Sequence, residues 1–174
     1  MEQPKKPYGK FERLFISVNR WLLIALLAVM STLVVVNVIA RYTFGFSFSW
    51  VEEVTRYMMI WVCFLGAGPA LRVGGHIAID TLHQSVSPGI SKFLRMMIVV
   101  IIASTLVAIG WLGIDYAQFA WEQETPVLGW SYGRIYLAMP VGALLTLIHL
   151  GFVASKWIAT AEWEREAGFD PQAM

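Results

Sequence analysis

Glu52 and Glu53 stand side by side, and Arg56 follows one helical turn later. Adjacent carboxylates beside a guanidinium can serve acid–base chemistry, hold a cation, or start a helix. Catalysis would need further groups, yet the chain carries no Gly-rich phosphate loop, no nucleophile elbow and no acid/base dyad. His76 and Asp80 are four apart and can share a helix face, with His83 the only further ligand nearby. A zinc site needs more than that, so no metal centre is expected. His149 is the one histidine well inside an apolar run. Haem held by two histidines needs a second at similar depth, so His149 reads as a polar group facing protein, and no cofactor is expected. Cys63, the single cysteine, lies in an apolar run without C-x-x-C spacing and reads as a buried thiol.

The charges at Glu52, Glu53 and Arg56 have a plain explanation. Ser49-Trp50-Val51-Glu52 fits the S-x-x-E capping box, with Ser49 as N-cap and Glu52 reaching back to its amide. Both glutamates then sit where the helix dipole favours negative charge, and Arg56 is placed to pair with either. One cap needs one carboxylate, however. Glu53 with Arg56 therefore either completes the same solvated helix start or meets a partner outside the chain.

Four runs must position these groups. Of the 174 residues, 57% are hydrophobic and 14% charged, well below the roughly 25% charged residues of soluble domains. The net charge of +1, with no basic run, argues against nucleic acid as a partner. Trp21–Ala40, Val54–Leu71, Phe93–Ile114 and Ile135–Ile158 are each long enough to cross a hydrocarbon layer, which takes about 20 residues. The first run is too long for a signal peptide and no small-x-small site follows it, so it reads as a retained span.

Ten of the thirteen Lys and Arg residues fall before the first span, around the second connection or in the tail, and three fall in the other two connections. By the positive-inside rule both termini and the middle loop are cytoplasmic. The fold expected is all-α: a polytopic membrane protein with four transmembrane helices in a single domain, 1–174. An N-terminal interfacial amphipathic helix covers 8–20, with Phe11, Leu14, Phe15 and Val18 on one stripe. The alternative is that this segment extends the first span. The spans are 21–41, 49–71, a long third over 88–124 and 134–158. A cytoplasmic loop occupies 72–87, and a polar tail 159–174. Ser87-Pro88 supplies the start of the third helix. Trp111, Tyr116, Trp121, Trp130, Tyr132 and Tyr136 form an outer aromatic belt. Asp115, Glu122 and Glu124 make the outer surface acidic beside Arg134.

No Asp or Glu lies near the middle of any run. Mid-membrane polarity is limited to Ser31, Thr32, Asn37, Ser104, Thr105, Thr146 and His149. A proton-coupled carrier would place a carboxylate there, and an ion-coupled one would show matched breaks in paired helices. Only the second and fourth runs are interrupted, by Gly66, Gly68 and Pro69 and by Pro140 and Gly142.

The ordered set Arg41-Tyr42, Trp50-x-Glu52-Glu53-x-x-Arg56, Phe64-Leu65-Gly66-Ala67 and Arg72-x-Gly74-Gly75-His76-Ile77-x-x-Asp80 closely resembles the DctQ-like small membrane subunit of tripartite ATP-independent periplasmic (TRAP) transporters. The resemblance implies a non-catalytic scaffold in the bacterial inner membrane, in a sodium-coupled symport system for organic acid uptake (a C4-dicarboxylate, sialic acid or similar carboxylate). It implies two protein partners besides membrane lipid: a large elevator-type membrane subunit (the M subunit) and a periplasmic substrate-binding protein. Arg41, Tyr42, Trp50, Glu52, Glu53, Arg56, Arg72, Gly74, Gly75, His76 and Asp80 become candidates for partner contact. Asp115, Glu122, Glu124 and Arg134 become candidates for docking the periplasmic protein. The competing readings are a self-sufficient homo-oligomeric carrier and a haem or quinone anchor subunit.

Overall fold

The computed structural model describes residues 9–73 and 88–160. Nothing breaks the chain between Lys10 and Phe44, and it forms one helix there, α1 (Lys10–Phe44), about 52 Å long at ~1.5 Å per residue. Gly45 ends it in the left-handed conformation, φ 73°, which side chains resist. The remaining elements are α2 (Ser49–Arg72), α3 (Pro88–Phe119), the short α4 (Tyr132–Tyr136) and α5 (Ala138–Thr160). Four helical segments are long and apolar enough to cross a membrane, the last being α4 and α5 together.

The expected separate helix over 8–20 is not formed. Residues 10–20 are the opening turns of α1, continuous with the span. Their apolar residues divide between two tasks: Phe11 and Phe15 approach Phe152 of α5 at 6.4 and 6.1 Å, while Leu14, Val18 and Trp21 face outward. The third helix stops at Phe119, short of the expected 124. Thr125-Pro126 is the first strong breaker in the sequence after Pro88, yet the helix ends before it. The actual stop is tertiary: the Gly133 amide takes the Ala120 carbonyl, and Trp121 bonds back only three residues, to Gln118. Ser87, the expected cap of α3, lies outside the described residues, as do the rest of the middle loop and the tail.

α5 is the centre of the bundle, packed between α2 and α3, with α1 laid against α2. At one end Leu71, Leu150, Val153 and Trp157 form a core covered by Ile98, Ile102 and Leu106. Close approach depends on small residues, as in other membrane helix pairs. A β-carbon at Gly142 would stand 2.5 Å from Phe64 Cβ and 2.7 Å from the Phe64 carbonyl oxygen. Cys63, expected to be buried, is exposed, because α2 meets α5 and α1 through its other faces.

Candidate functional site: two polar joints in an apolar bundle

The buried polar side chains gather at two levels, and each level ties different helices together. The inner joint is built around His149 of α5, which is 0% exposed. Pro69 interrupts α2 and has no N–H, so the Leu65 carbonyl four residues earlier loses its helical donor. The Asn19 side-chain amide of α1 fills that gap, donating to Leu65 O at 3.3 Å. Its nitrogen also lies 3.1 Å from His149 Nε2. Arg72, at the end of α2, approaches Nδ1 at 3.5 Å and donates to the Glu12 carboxylate of α1. Phe15 packs on the imidazole at 4.8 Å, and Phe152 lies under the Arg72 guanidinium at 5.9 Å. Three helices are thus joined by one chain of contacts, Glu12–Arg72–His149–Asn19–Leu65.

A second contact closes the same end. Arg95 of α3 donates to the Ile158 carbonyl at 3.0 Å and to Ser91 Oγ at 3.0 Å. It thereby satisfies one of the last carbonyls of α5.

The outer joint is built on Glu53, which is 5% exposed. Its carboxylate accepts from Tyr57 Oη at 2.7 Å and from the Val127 amide at 3.0 Å. The loop that receives it is tightly bonded. Thr125 exchanges backbone bonds with Trp130 and Gly129, its hydroxyl accepts the Trp130 amide at 3.0 Å, and Gly129 takes φ 64°. Tyr57, Tyr132, Tyr136 and Tyr116 continue as a ladder of rings, with successive centroids 6.2, 6.0 and 4.8 Å apart. Nearby, the Asn37 carboxamide accepts the Phe48 amide at 2.7 Å and fixes the turn between α1 and α2.

These contacts correct the reading of the Glu52–Glu53–Arg56 group. No capping box forms: Phe48 is the N-cap, Ser49 is already helical, and no side chain caps the helix. The surplus carboxylate, Glu53, is taken up by this chain's own outer loop. Glu52 and Arg56 are exposed and make no ion pair with one another, nor does Arg56 pair with Glu53. Arg41 lies over the ring of its neighbour Tyr42 at 5.7 Å, and Tyr42 is 82% exposed. Trp50 is exposed, as are Asp115, Glu122, Glu124 and Arg134. Gly74, Gly75, His76 and Asp80 lie outside the described residues. Arg72, a candidate for partner contact, is a member of the inner joint. Asn19 and Glu12 were missed, because a lone amide and a lone carboxylate in an amphipathic stretch carry no motif. The one available signal was Pro69, which announces an acceptor in need of a donor. Among the described residues no group of three or more His, Cys, Asp or Glu is placed to hold a metal ion.

An all-helical bundle with four potential spans, held by buried polar joints, defines an integral membrane protein. Residues 30–157 match the family of tripartite ATP-independent periplasmic transporters, DctQ component, and the chain belongs to that family. It is 32% identical over 127 residues to a protein of Haemophilus influenzae assigned as a TRAP transporter small permease, covering 71% of this chain and 77% of the relative. It is 30% identical over 129 residues to the ectoine TRAP transporter small permease protein TeaB of Halomonas elongata, covering 73% and 67%. A third relative, the isethionate TRAP transporter permease protein DctMQ of Oleidesulfovibrio alaskensis, is 23% identical over 103 residues, which are 58% of this chain and 16% of that protein.

Proposed function

We propose that this chain is the non-catalytic scaffold subunit of a sodium-coupled TRAP transporter, bracing a large membrane subunit that itself binds and moves the substrate. The observation that carries the reading is how the interior polarity is used. Asn19, Asn37, Glu53, Arg72, Ser91, Arg95, Thr125, Thr146 and His149 are the buried polar side chains among the described residues. Each makes at least one contact within the same chain, Asn19 through its Nδ2 while its buried Oδ1 has no partner among the described residues. A carrier keeps interior groups available for its solute, whereas a brace uses them to hold its helices in register. Both ring nitrogens of His149 face neighbours, which also disfavours the haem-anchor reading.

The partner is a large M-type subunit. The fused DctMQ relative supports this, since its matched part is a small fraction of a longer permease. Relatives named for ectoine and for isethionate differ in substrate, which supports placing substrate choice outside the small subunit. An organic acid remains the proposed cargo, taken up across the bacterial inner membrane by symport. The Lys and Arg distribution supports a cytoplasmic location for the end carrying Glu12, Arg72 and Arg95. Asp115, Glu122, Glu124 and Arg134 would then face the periplasmic binding protein. Glu52, Arg56, Arg41 and Tyr42, exposed at the same outer end, are proposed to meet the large subunit.

Co-expression tests the reading. Tagged chain should retrieve the large subunit encoded with it, and Arg56→Ala should lower that yield without lowering the thermal stability of the chain alone. Stable chain with no retrieved partner would reject it.

A further inference from the structure

Three contacts set the register between the antiparallel helices α1 and α2. Glu12 meets Arg72, Asn19 meets the Leu65 carbonyl, and Asn37 meets the Phe48 amide. The intervals Asn19 to Asn37 and Phe48 to Leu65 are nearly equal, about 27 and 26 Å at ~1.5 Å per residue. The two helices therefore run side by side without sliding. In this register Glu53 stands level with Ser31 and Thr32 of α1, and Arg56 with Ala28 and Val29. Those α1 residues are the middle of the charge-free run Trp21–Ala40. Glu53 also marks the outer polar level of the other helices. Its carboxylate accepts the Val127 amide of the loop between α3 and α4, where Glu122 and Glu124 are exposed. α1 alone continues past this level, by about twelve residues or ~18 Å. The overhang carries one charge, Arg41, and exposes Val34, Val35, Val38, Ile39, Tyr42 and Phe44. A lean of ~40° lowers a helix against a neighbour ~9 Å away by only about 6 Å, a third of the overhang. The bilayer that fits α2, α3 and α5 therefore does not cover it, and water would leave a contiguous apolar patch exposed. At its foot Glu52 and Arg56 are exposed and make no ion pair among the described residues.

We propose that the overhang of α1, with Glu52 and Arg56 at its foot, is the face on which the large membrane subunit docks. The inference rests on the reading of this chain as a brace and adds which face does the bracing. The partner surface that fits is apolar along Val35, Val38 and Ile39, with an acidic group for Arg56 and a basic one for Glu52. Burying the β-branched strip supplies the attraction, and the charges at its foot fix the register. The fused DctMQ relative favours this occupant over a second copy of this chain. In it the part matching this chain is 16% of a single permease chain, which ties one such part to one larger remainder. α3 makes the contrast: its exposed Ile101 and Leu112 lie within the depth shared by α2 and α5, where lipid suffices.

The experiment uses the full chain expressed with its large subunit, in membranes. A photoreactive benzoylphenylalanine is placed at Val35 or at Ile39 of α1, and at Ile101 or at Leu112 of α3, all exposed positions. After irradiation, a tag on the large subunit shows whether it has become covalently joined to this chain. Either α1 position should give that adduct, and neither α3 position should. Two α1 positions keep the test decisive if one probe lowers the yield of folded chain. Retrieval of the large subunit without an α1 adduct would overturn the assignment, as would adducts from α3 in place of α1 or an adduct with a second copy of this chain. Each of those results would leave the brace reading standing. No retrieval of the large subunit by the unmodified chain would reject both.

Discussion

The Asn19 side chain of α1 donates to the Leu65 carbonyl of α2 at 3.3 Å, the acceptor that Pro69 deprives of its helical N–H. A break in one helix is thus repaired by a residue from another, and the repair also positions His149. Replacing Asn19 with Leu leaves two buried groups unpaired. In a membrane interior such bonds contribute about 1–2 kcal/mol. Asn19→Leu should therefore lower the melting temperature of the purified chain, and adding Pro69→Ala should recover part of the loss by returning an N–H to Leu65. Additive losses in the double variant, read by thermal unfolding in detergent, would show that the two residues are not coupled.

Glu12 and Arg72 form the outermost link of the inner joint, with side chains 18% and 5% exposed. Removing the carboxylate breaks an ion pair to a buried guanidinium, and breaking a buried pair costs about 3–5 kcal/mol. Glu12→Gln should destabilise the chain at the lower end of that range, given its partial exposure. Arg72→Gln in the same chain should restore much of it. A double-mutant cycle gives the coupling directly.

Glu53 should behave differently from its neighbours. Glu53→Ala removes the acceptor for Tyr57 and Val127, about 1–3 kcal/mol for buried groups left unpaired. Hydrogen exchange at residues 123–131 should quicken in that variant. Glu52→Ala and Arg56→Ala should leave exchange there unchanged, since the exposed side chains of Glu52 and Arg56 make no hydrogen bond or ion pair to the loop.

Helix spacing at the centre should be intolerant of one added carbon. Gly142→Ala sets a β-carbon 2.5 Å from Phe64 Cβ and should cost about 1–3 kcal/mol. Gly66→Ala meets only Leu23 Cδ2 at 3.9 Å and should be neutral or better. Melting curves of the two variants give the comparison.

Much of this architecture is legible in the sequence, and the reasons differ by feature. Hydropathy marks four spans because a bilayer requires long apolar runs whatever the packing. Helix ends were less legible. The stop at Phe119 depends on Gly133, which is distant in sequence, and no local breaker announces it. His149 reads correctly as a group facing protein, since a lone imidazole in a span needs a partner. The identity of that partner, Asn19, depends on which faces of α1 and α5 meet. Glu53 shows the same limit: an odd carboxylate is visible, but its destination at Val127 comes from the fold of a loop 74 residues away.

The central claim is that this chain braces a transporter and does not itself transport. Uptake into sodium-loaded and sodium-gradient liposomes measures that most directly, comparing this chain alone, the large subunit alone and the two together, each with the periplasmic binding protein and its substrate. The account predicts gradient-driven uptake only when both membrane subunits are present, and loss of uptake in the pair when Asn19→Leu and Glu12→Gln loosen the inner joint. Gradient-driven uptake by this chain without the large subunit would contradict it.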